Sequence, residues 1–139
     1  MERTFVMVKP DGMQKGLVGE IFSRLERAGL KPIGVKMLWL DDEMLDIHYA
    51  HHKNKPFFLD LKEFMKETPV IASVWKGENA IAKVRELVGA TDPEKAAPGT
   101  IRNQFGDNIQ RNLVHASDSK ETAEAEIRRF FKKEELFDW

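Results

Sequence analysis

The chain contains no cysteine among its 139 residues. That absence excludes disulfide scaffolds, zinc ribbons, iron–sulfur clusters and thiol nucleophiles. Long apolar runs are lacking as well: no stretch approaches the roughly 20 residues of a membrane span, and the apolar segment at residues 5–8 is too short for a signal-peptide core. A cytoplasmic location is compatible with these absences.

The chain also lacks an excess of charge of either sign. Its 22 basic and 23 acidic residues leave a formal net charge of −1. Such a balance provides no global field that would attract a polyanion such as nucleic acid. A few well-placed arginines and lysines could still hold a small anionic substrate. The length and the hydrophobic share of 42% predict one globular domain over residues 1–139.

Hydrophobic periodicity predicts a mixed order of strands and helices. Strand patterns occupy residues 4–9, 33–39, 70–75 and 113–114, and helical spacing appears at 21–28, 42–49, 57–66, 81–88 and 123–131. Asn79 and Ser119 are expected to cap the last two helices, Gly29 and Gly89 to end two of them, and residues 10–12 to break the chain. Residues 89–112 have no sustained period and are expected to form a binding loop.

This order of elements predicts an α+β fold. It is close to the ferredoxin-like, split βαβ arrangement, in which a four-stranded antiparallel sheet is covered by helices.

The familiar phosphate-binding motifs are absent. The sequence has no Gly-x-x-x-x-Gly-Lys-Ser/Thr loop, no Gly-x-Gly-x-x-Gly and no protein-kinase His-Arg-Asp or Asp-Phe-Gly. A histidine offers another route to phosphoryl transfer, since neutral imidazole is nucleophilic near neutral pH and can carry a phosphoryl group. The candidate is His115, with Glu126 orienting the ring directly or through Ser117. For a lone histidine, simple packing at a strand end is the commoner alternative.

Several separated segments resemble the signature motifs of nucleoside diphosphate kinases. The two strongest are Asn112–Asp118, which reads Asn-Leu-Val-His-Ala-Ser-Asp, and Thr4–Gly12, which reads Thr-Phe-Val-Met-Val-Lys-Pro-Asp-Gly. The likeness runs through nearly the whole chain and includes Gly16–Gly19, Pro56–Phe58, Thr91–Pro93 and Pro98–Arg102. One departure is Ala116, where many members of the family carry glycine.

The resemblance implies an enzyme, a phosphotransferase that moves the terminal phosphoryl group of a nucleoside triphosphate to a nucleoside diphosphate. It implies a ping-pong mechanism through phosphorylated His115, with little base specificity. The residues that the resemblance assigns to catalysis are His115, Lys9, Tyr49, Glu126 and Ser117. Those that it assigns to substrate binding are Lys9, Phe57, Arg85, Thr91, Arg102, Ile109 and Asn112.

Each implied role suits the chemistry of its residue. Lys9 would hold the transferred phosphoryl group, while Arg85 and Arg102 would grip the nucleotide phosphates with Thr91 as an additional donor. Tyr49 would lie close to His115 and the transferred group.

The nucleoside would be held by a different set of side chains. Asn112 would bond the sugar hydroxyl, and Phe57 and Ile109 would enclose the base with apolar surface. Lysine at a strand end, arginine on a helix and phenylalanine in a core are common without any such role.

The resemblance also implies a cofactor and partners. Mg²⁺ would be bound mainly through the nucleotide phosphates, so no protein metal site is expected. The partners would be nucleoside triphosphates and diphosphates including ATP, with no obligate nucleic acid and no membrane. The family further implies a homohexamer, with a tetramer as the alternative.

A second histidine cluster comprises His48, His51 and His52. On a helix this spacing would place the three rings near one face, as in a metal site. An exposed helix end is the favoured interpretation, because neither a cysteine nor an obvious fourth ligand is near.

Two other functions are compatible with the same fold. One is a nucleotide-binding or interaction protein that has lost catalysis, and the other is a ferredoxin-like RNA-binding module. The second would need a Lys/Arg-Gly-Phe/Tyr-type motif and a basic surface, and the sequence has neither.

Overall fold

The apolar segment near the start of the chain forms a central strand in a computed structural model, which describes residues 1–139. The four strands are β1 (Glu2–Val8), β2 (Lys31–Leu38), β3 (Val70–Gly77) and β4 (Val114–Ala116). The seven α-helices are α1 (Pro10–Gln14), α2 (Val18–Arg27), α3 (Asp42–His48), α4 (Phe58–Met65), α5 (Ala80–Val88), α6 (Ile101–Phe105) and α7 (Lys120–Phe130). Single 3-10 turns occupy Ala50–His52, Pro93–Lys95 and Lys133–Glu135.

The strands form one sheet in the order β2-β3-β1-β4, and every neighbouring pair is antiparallel. This is the predicted ferredoxin-like, α+β arrangement, and the fold prediction is confirmed. β1 and β3 are central and pair from Glu2 with Gly77 to Val8 with Ile71. β4 pairs only with the end of β1, where His115 lies opposite Met7.

Alternate residues of β1 point into two separate apolar layers, as the two-residue period of a strand requires. Phe5 and Met7 pack with residues of α3, α4 and α7 on one face of the sheet. Val6 and Val8 pack with residues of α2, α5 and α6 on the other. Because both faces are covered, β1 is a continuous apolar run rather than an alternating one.

Two local predictions are wrong. Residues 10–12, expected to break the chain, begin α1, since proline is well tolerated at the first position of a helix. The stretch 89–112, expected to be irregular, contains α6 and a 3-10 turn, both too short to produce a recognisable period.

The predicted helix caps have different outcomes. Ser119 caps α7 as expected, its hydroxyl accepting the Thr122 N–H at 3.1 Å. Asn79 does precede α5, but its side chain makes no capping hydrogen bond and its φ is 51°. The carboxylate of Glu2, in β1, accepts the Ile81 N–H instead at 2.9 Å. No helix combines the length and apolarity that a membrane span requires.

Candidate active site

A cleft of about 870 Å³ opens where the end of β1 and β4 meet α3, α5 and α7. Ten of the eleven residues that the sequence singled out line it: Lys9, Tyr49, Phe57, Arg85, Thr91, Arg102, Ile109, Asn112, His115 and Glu126. The eleventh, Ser117, lies behind the wall and reaches the cleft through Glu126. Residues from distant parts of the chain are therefore brought to one place.

His115 is held by a carboxylate from the neighbouring helix. Its Nε2 lies 2.6 Å from Glu126 Oε2, and the Ser117 hydroxyl donates to Glu126 Oε1 at 2.5 Å. Because a carboxylate only accepts, Nε2 carries the ring proton and Nδ1 has a free lone pair. The side chain of His115 is 24% exposed on the cleft, and Nδ1 has no protein hydrogen-bond partner. Of the two routes suggested for Glu126, the direct one is present, and Ser117 supports the carboxylate from its other side instead of bridging it to His115.

The turn that leads into β4 has an unusual backbone. Leu113 has a φ of 78°, a conformation that costs energy for a residue with a branched side chain. Its N–H donates to Asp11 Oδ2 at 3.0 Å, and its carbonyl accepts the Lys9 N–H at 2.9 Å. A Cβ on Gly12 would lie 2.9 Å from the Leu113 oxygen, so only glycine permits this approach. Hydrogen bonds with the start of α1 therefore fix the turn that precedes His115.

Lys9 is buried beneath the cleft, with 6% of its surface exposed. Its Nζ donates to Asn112 Oδ1 at 2.8 Å and to the Gln110 carbonyl at 2.7 Å. Burial lowers the pKa of Lys9 to about 8, and the charge of Arg102 adds to the shift while the Asp11 carboxylate opposes it. Lys9 is a fixed cation that can lose its charge at mildly alkaline pH.

Arg102 is fixed by three backbone carbonyls. Its guanidinium donates to the oxygens of Asn112 at 3.3 Å, Gly89 at 3.1 Å and Val114 at 2.6 Å. Burial, together with the charge of Arg85, lowers the pKa of Arg102 to about 10, so it remains charged at neutral pH. Arg85 is more exposed and donates to the Ala116 carbonyl at 3.3 Å. Two guanidinium groups thus lie on the same side of the cleft.

The predicted contacts for the base lie at the mouth of the cleft, whereas Asn112, the predicted contact for the sugar, is buried below them. Phe57 and Ile109 are 44% and 61% exposed, so Phe57 is not the core aromatic that its neighbour Phe58 is. Thr91 is exposed beside them, and its carbonyl accepts from Asn112 Nδ2 at 3.0 Å. The second amide hydrogen of Asn112 goes to the Ile109 carbonyl at 2.8 Å, which leaves only its oxygen for a ligand.

Similarity to known proteins agrees with this geometry. The family model described as nucleoside diphosphate kinase matches residues 2–136. The chain belongs to the nucleoside diphosphate kinase family. It is 58% identical to the nucleoside diphosphate kinase of Archaeoglobus fulgidus, covering 100% of this chain and 92% of the relative. It is 51% identical to that of Saccharomyces cerevisiae, covering 99% of this chain and 90% of the relative.

Solved structures of nucleoside diphosphate kinases have the same fold. The halophilic enzyme of Halobacterium salinarum, solved in complex with CDP, superposes with a TM-score of 0.96 at 51% identity and covers 99% of this chain and 92% of its own. A family protein from Babesia bovis superposes with a TM-score of 0.95 at 47% identity, covering 100% of this chain and 94% of its own. The chain is therefore an enzyme of the phosphotransferase class.

The RNA-binding alternative does not fit a nucleoside diphosphate kinase fold of this kind. Such a module stacks bases on aromatic side chains of an open sheet face. Here helices cover both faces of the sheet.

The cleft also contains residues to which the sequence assigned no role there, among them His48 and Arg129. His48 was expected at an exposed helix end, but it is 4% exposed and its ring lies 4.7 Å from that of His115. Arg129 belongs to a run of basic residues that is typical of a solvated face, but its Nη1 lies 2.9 Å from His48 Nδ1. Its position three residues after Glu126, which places it on the same face of a helix, was the only sequence signal for it.

Tyr49 reaches His115 only through His48. Its ring packs 4.6 Å from His48, which in turn packs against His115. Burial, together with the nearby Glu126 charge, raises the pKa of Tyr49 above its usual range. The phenol therefore stays protonated and can donate a hydrogen bond into the cleft.

The histidines do not form the three-ring site that their spacing suggested. His51 is exposed, while His48 lies inside. The donor atoms that converge belong to His48, His115 and Glu126 and lie within 4.8 Å of one another. Two imidazoles and one carboxylate suit a transition metal rather than Mg²⁺, which prefers oxygen ligands. The guanidinium of Arg129 beside His48 also opposes a cation there.

Proposed function

We propose that this nucleoside diphosphate kinase works by a ping-pong mechanism in which His115 Nδ1 carries the phosphoryl group between two nucleotides. The observation that carries the proposal is the pairing of His115 Nε2 with Glu126, which leaves Nδ1 unpartnered and facing a cleft that contains Lys9, Arg85 and Arg102. Near neutral pH such an imidazole is a nucleophile that needs no further activation.

In the first half-reaction, a bond forms between His115 Nδ1 and the γ-phosphorus as the bond from that phosphorus to the β,γ-bridging oxygen breaks. The electron pair of the broken bond leaves with the nucleoside diphosphate. The ring keeps its proton on Nε2 and gains positive charge as the new bond forms. Glu126, at 2.6 Å, stabilises that charge. The second half-reaction is the reverse, with a different diphosphate as acceptor.

The charges of the transferred group are balanced by side chains that are already in place. Lys9 meets the transferred phosphoryl group, and Arg85 and Arg102 meet the remaining phosphates with Thr91. Because Lys9 and Arg102 are held by backbone carbonyls, little reorganisation accompanies the reaction. Tyr49, which also lines the cleft, supplies a further donor for the transferred group.

The nucleoside binds at the mouth. Phe57 stacks on the base and Ile109 covers its other side, while the oxygen of Asn112 accepts from the sugar hydroxyl. Stacking reads no donor or acceptor pattern, so base specificity is low and ATP is one substrate among several. The relative from Halobacterium salinarum was solved with CDP, which is consistent with a nucleotide that has a pyrimidine base in such a cleft.

Mg²⁺ is proposed as the cofactor, carried on the nucleotide phosphates. The cleft suits that arrangement because its walls are cationic and its only carboxylates are Asp118 and Glu126. Both oxygens of Glu126 are occupied by His115 and Ser117, which leaves Asp118 as the only carboxylate free near the ion. The ion would neutralise phosphate charge, and the protein side chains would orient the phosphates around it.

We also propose that residues 1–139 form a single domain that assembles into a homo-oligomer in the cytoplasm. Both apolar layers share one sheet, which supports one folding unit. The outer strand β2 bears exposed apolar residues, which supports self-association. A hexamer is the expected assembly, with a tetramer as the alternative.

The test is transfer of label from γ-labelled ATP to the protein. We expect an acid-labile, alkali-stable phosphoenzyme that is lost on adding unlabelled diphosphate and absent from His115→Ala. A well-folded wild-type chain that forms no phosphoenzyme would contradict the mechanism and favour the catalytically silent alternative. Circular dichroism of both proteins provides the folding control.

A further inference from the structure

Glu126 is hydrogen-bonded to His115, and a second histidine lies close to the same carboxylate oxygen. His48 Nδ1 lies 4.0 Å from Glu126 Oε2, the atom that is 2.6 Å from His115 Nε2. A protonated His48 would bond to that oxygen as an ion pair, and charge-assisted bonds of this kind are strong. The site therefore contains a competitor for the carboxylate on which His115 depends.

Arg129 engages the atom through which His48 would compete. Arg129 Nη1 lies 2.9 Å from His48 Nδ1. A guanidinium can donate but not accept, so Nδ1 must be unprotonated and the ring proton resides on Nε2. In that tautomer His48 has no hydrogen to offer to Glu126.

We propose that Arg129 is a positioning residue, which reserves Glu126 for His115 by holding Nδ1 of His48 as an acceptor. The inference rests on the proposed role of His115 as the phosphoryl carrier. Its basis is the chain of contacts from Arg129 to His48 to Glu126. The neutral His48 ring then packs edge-on against His115, at 76° between the ring planes.

The surroundings of His48 favour its neutral form. Burial lowers the pKa of His48 to about 2, and the neighbouring positive groups add to the effect. Charged and titratable groups reach it from several elements, namely His115 on β4, Glu126 and Arg129 on α7, His51 and Tyr49 beyond α3, and Lys9 after β1. Of these, only Glu126 would attract a proton to His48, and Arg129 is the group in direct contact with the relevant nitrogen.

Replacing Arg129 by methionine frees Nδ1 and removes one of the opposing charges. The neutral ring can then move its proton from Nε2, which is buried without a hydrogen-bond partner, to Nδ1, and the new N–H can donate to Glu126. That bond draws the carboxylate away from His115, so formation of the phosphoenzyme should slow by a similar factor across the neutral pH range. A double variant that also carries His48→Leu lacks the competing ring and should recover most of the wild-type rate.

The experiment measures the rate of phosphoenzyme formation from γ-labelled ATP and Mg²⁺ by rapid quench, across a range of pH. We expect Arg129→Met to form the phosphoenzyme at least about threefold more slowly than wild type at neutral pH, as befits partial loss of one hydrogen bond between Glu126 and His115. Arg129→Lys, which can still donate to Nδ1, should retain most of the wild-type profile. Arg128→Met, the same change at the exposed neighbouring position, is the matched control and should follow wild type.

A second measurement reads the tautomer directly. The chain has four histidines, so long-range proton–nitrogen spectra with a His48→Gln variant for assignment resolve each ring. We expect neutral His48 to be protonated on Nε2 in wild type and on Nδ1 in Arg129→Met. Thermal melts confirm that the variants are folded.

The outcomes separate the two proposals. If wild type forms no phosphoenzyme, the mechanism through His115 fails. If wild type does form it, but Arg129→Met keeps the wild-type rate, or adding His48→Leu does not restore the rate of Arg129→Met, the inference about Arg129 is wrong. A wild-type His48 protonated on Nδ1 at neutral pH would also overturn it.

Discussion

At the scale of single residues, Lys9 meets two opposing requirements. A fixed cation beneath a phosphoryl group must be held away from water, but burial weakens its hold on the proton. The structure balances these by giving Nζ two oxygen acceptors, Asn112 Oδ1 and the Gln110 carbonyl, while the charge of Asp11 favours the protonated form. The pKa that results, about 8, lies close to the neutral range in which the proposed mechanism needs a charged Lys9.

Lys9 should therefore set the alkaline limit of nucleotide binding. Below a pH of about 8 the free enzyme holds the charge, and above it the charge is lost, so affinity for nucleotide should fall as pH rises through that value. Lys9→Gln should lower kcat/KM on the order of 10²- to 10³-fold and remove this limb of the profile. Steady-state kinetics across pH provide the measurement. An alkaline limb that persists unchanged in Lys9→Gln would assign it to another group.

The prediction from sequence covered only part of the group around His115. His115, Glu126 and Ser117 were singled out by the family resemblance, and Glu126 does contact the other two. His48 and Arg129 were not, because α3 and α7 are far apart in the chain and meet only through the folded sheet. An arginine in a charged run gives no local sign that it faces inward.

At the scale of elements, the first turn of α5 is stabilised by a residue that lies outside the helix. α5 carries Arg85 into the cleft, so the position of its first turn affects the site. The expected cap, Asn79, adopts a left-handed conformation and makes no capping bond. Glu2, some eighty positions earlier in the chain, accepts the Ile81 N–H instead. Sequence rules found the start of this helix but not the group that stabilises it.

Short elements were also beyond prediction from sequence. α1 and α6 have five residues each, too few for apolar positions to repeat, and both lie among prolines and glycines that usually mark loops. The long elements β1, β3 and α7 were predicted well because apolar layers on both sides of the sheet impose a period on them.

Removal of Glu2 should test which group caps α5. Glu2→Ala should lower the free energy of unfolding by about 0.5 to 2 kcal/mol, because the Ile81 N–H loses its acceptor. Asn79→Gly should be neutral or slightly stabilising, because glycine adopts a positive φ without the steric cost of a Cβ. Urea unfolding at one protein concentration measures both. Glu78→Ala, which removes an exposed carboxylate nearby, is the control, and a larger loss from Asn79→Gly than from Glu2→Ala would contradict the assignment.

At the scale of the whole molecule, the sheet has two very different edges. β4 is short and carries His115 at one edge, whereas β2 forms the other edge over eight residues. Long outer strands with apolar side chains tend to associate with other chains. Val35 and Met37, two positions apart on β2, are 51% and 62% exposed and so lie on one side of that strand.

This exposed pair on β2 places the proposed subunit contact away from the active-site cleft, so assembly and catalysis should be separable. Met37→Lys would put a charge into a contact that excludes water, and it should shift the molar mass measured by light scattering towards that of the monomer. Leu59→Lys, at a position that is 70% exposed on α4, introduces the same charge elsewhere and should leave the mass unchanged. Phosphoenzyme formation by Met37→Lys should persist, because none of the residues around His115 lies on β2. A Met37→Lys protein with the mass of wild type would show that the chains associate through another surface.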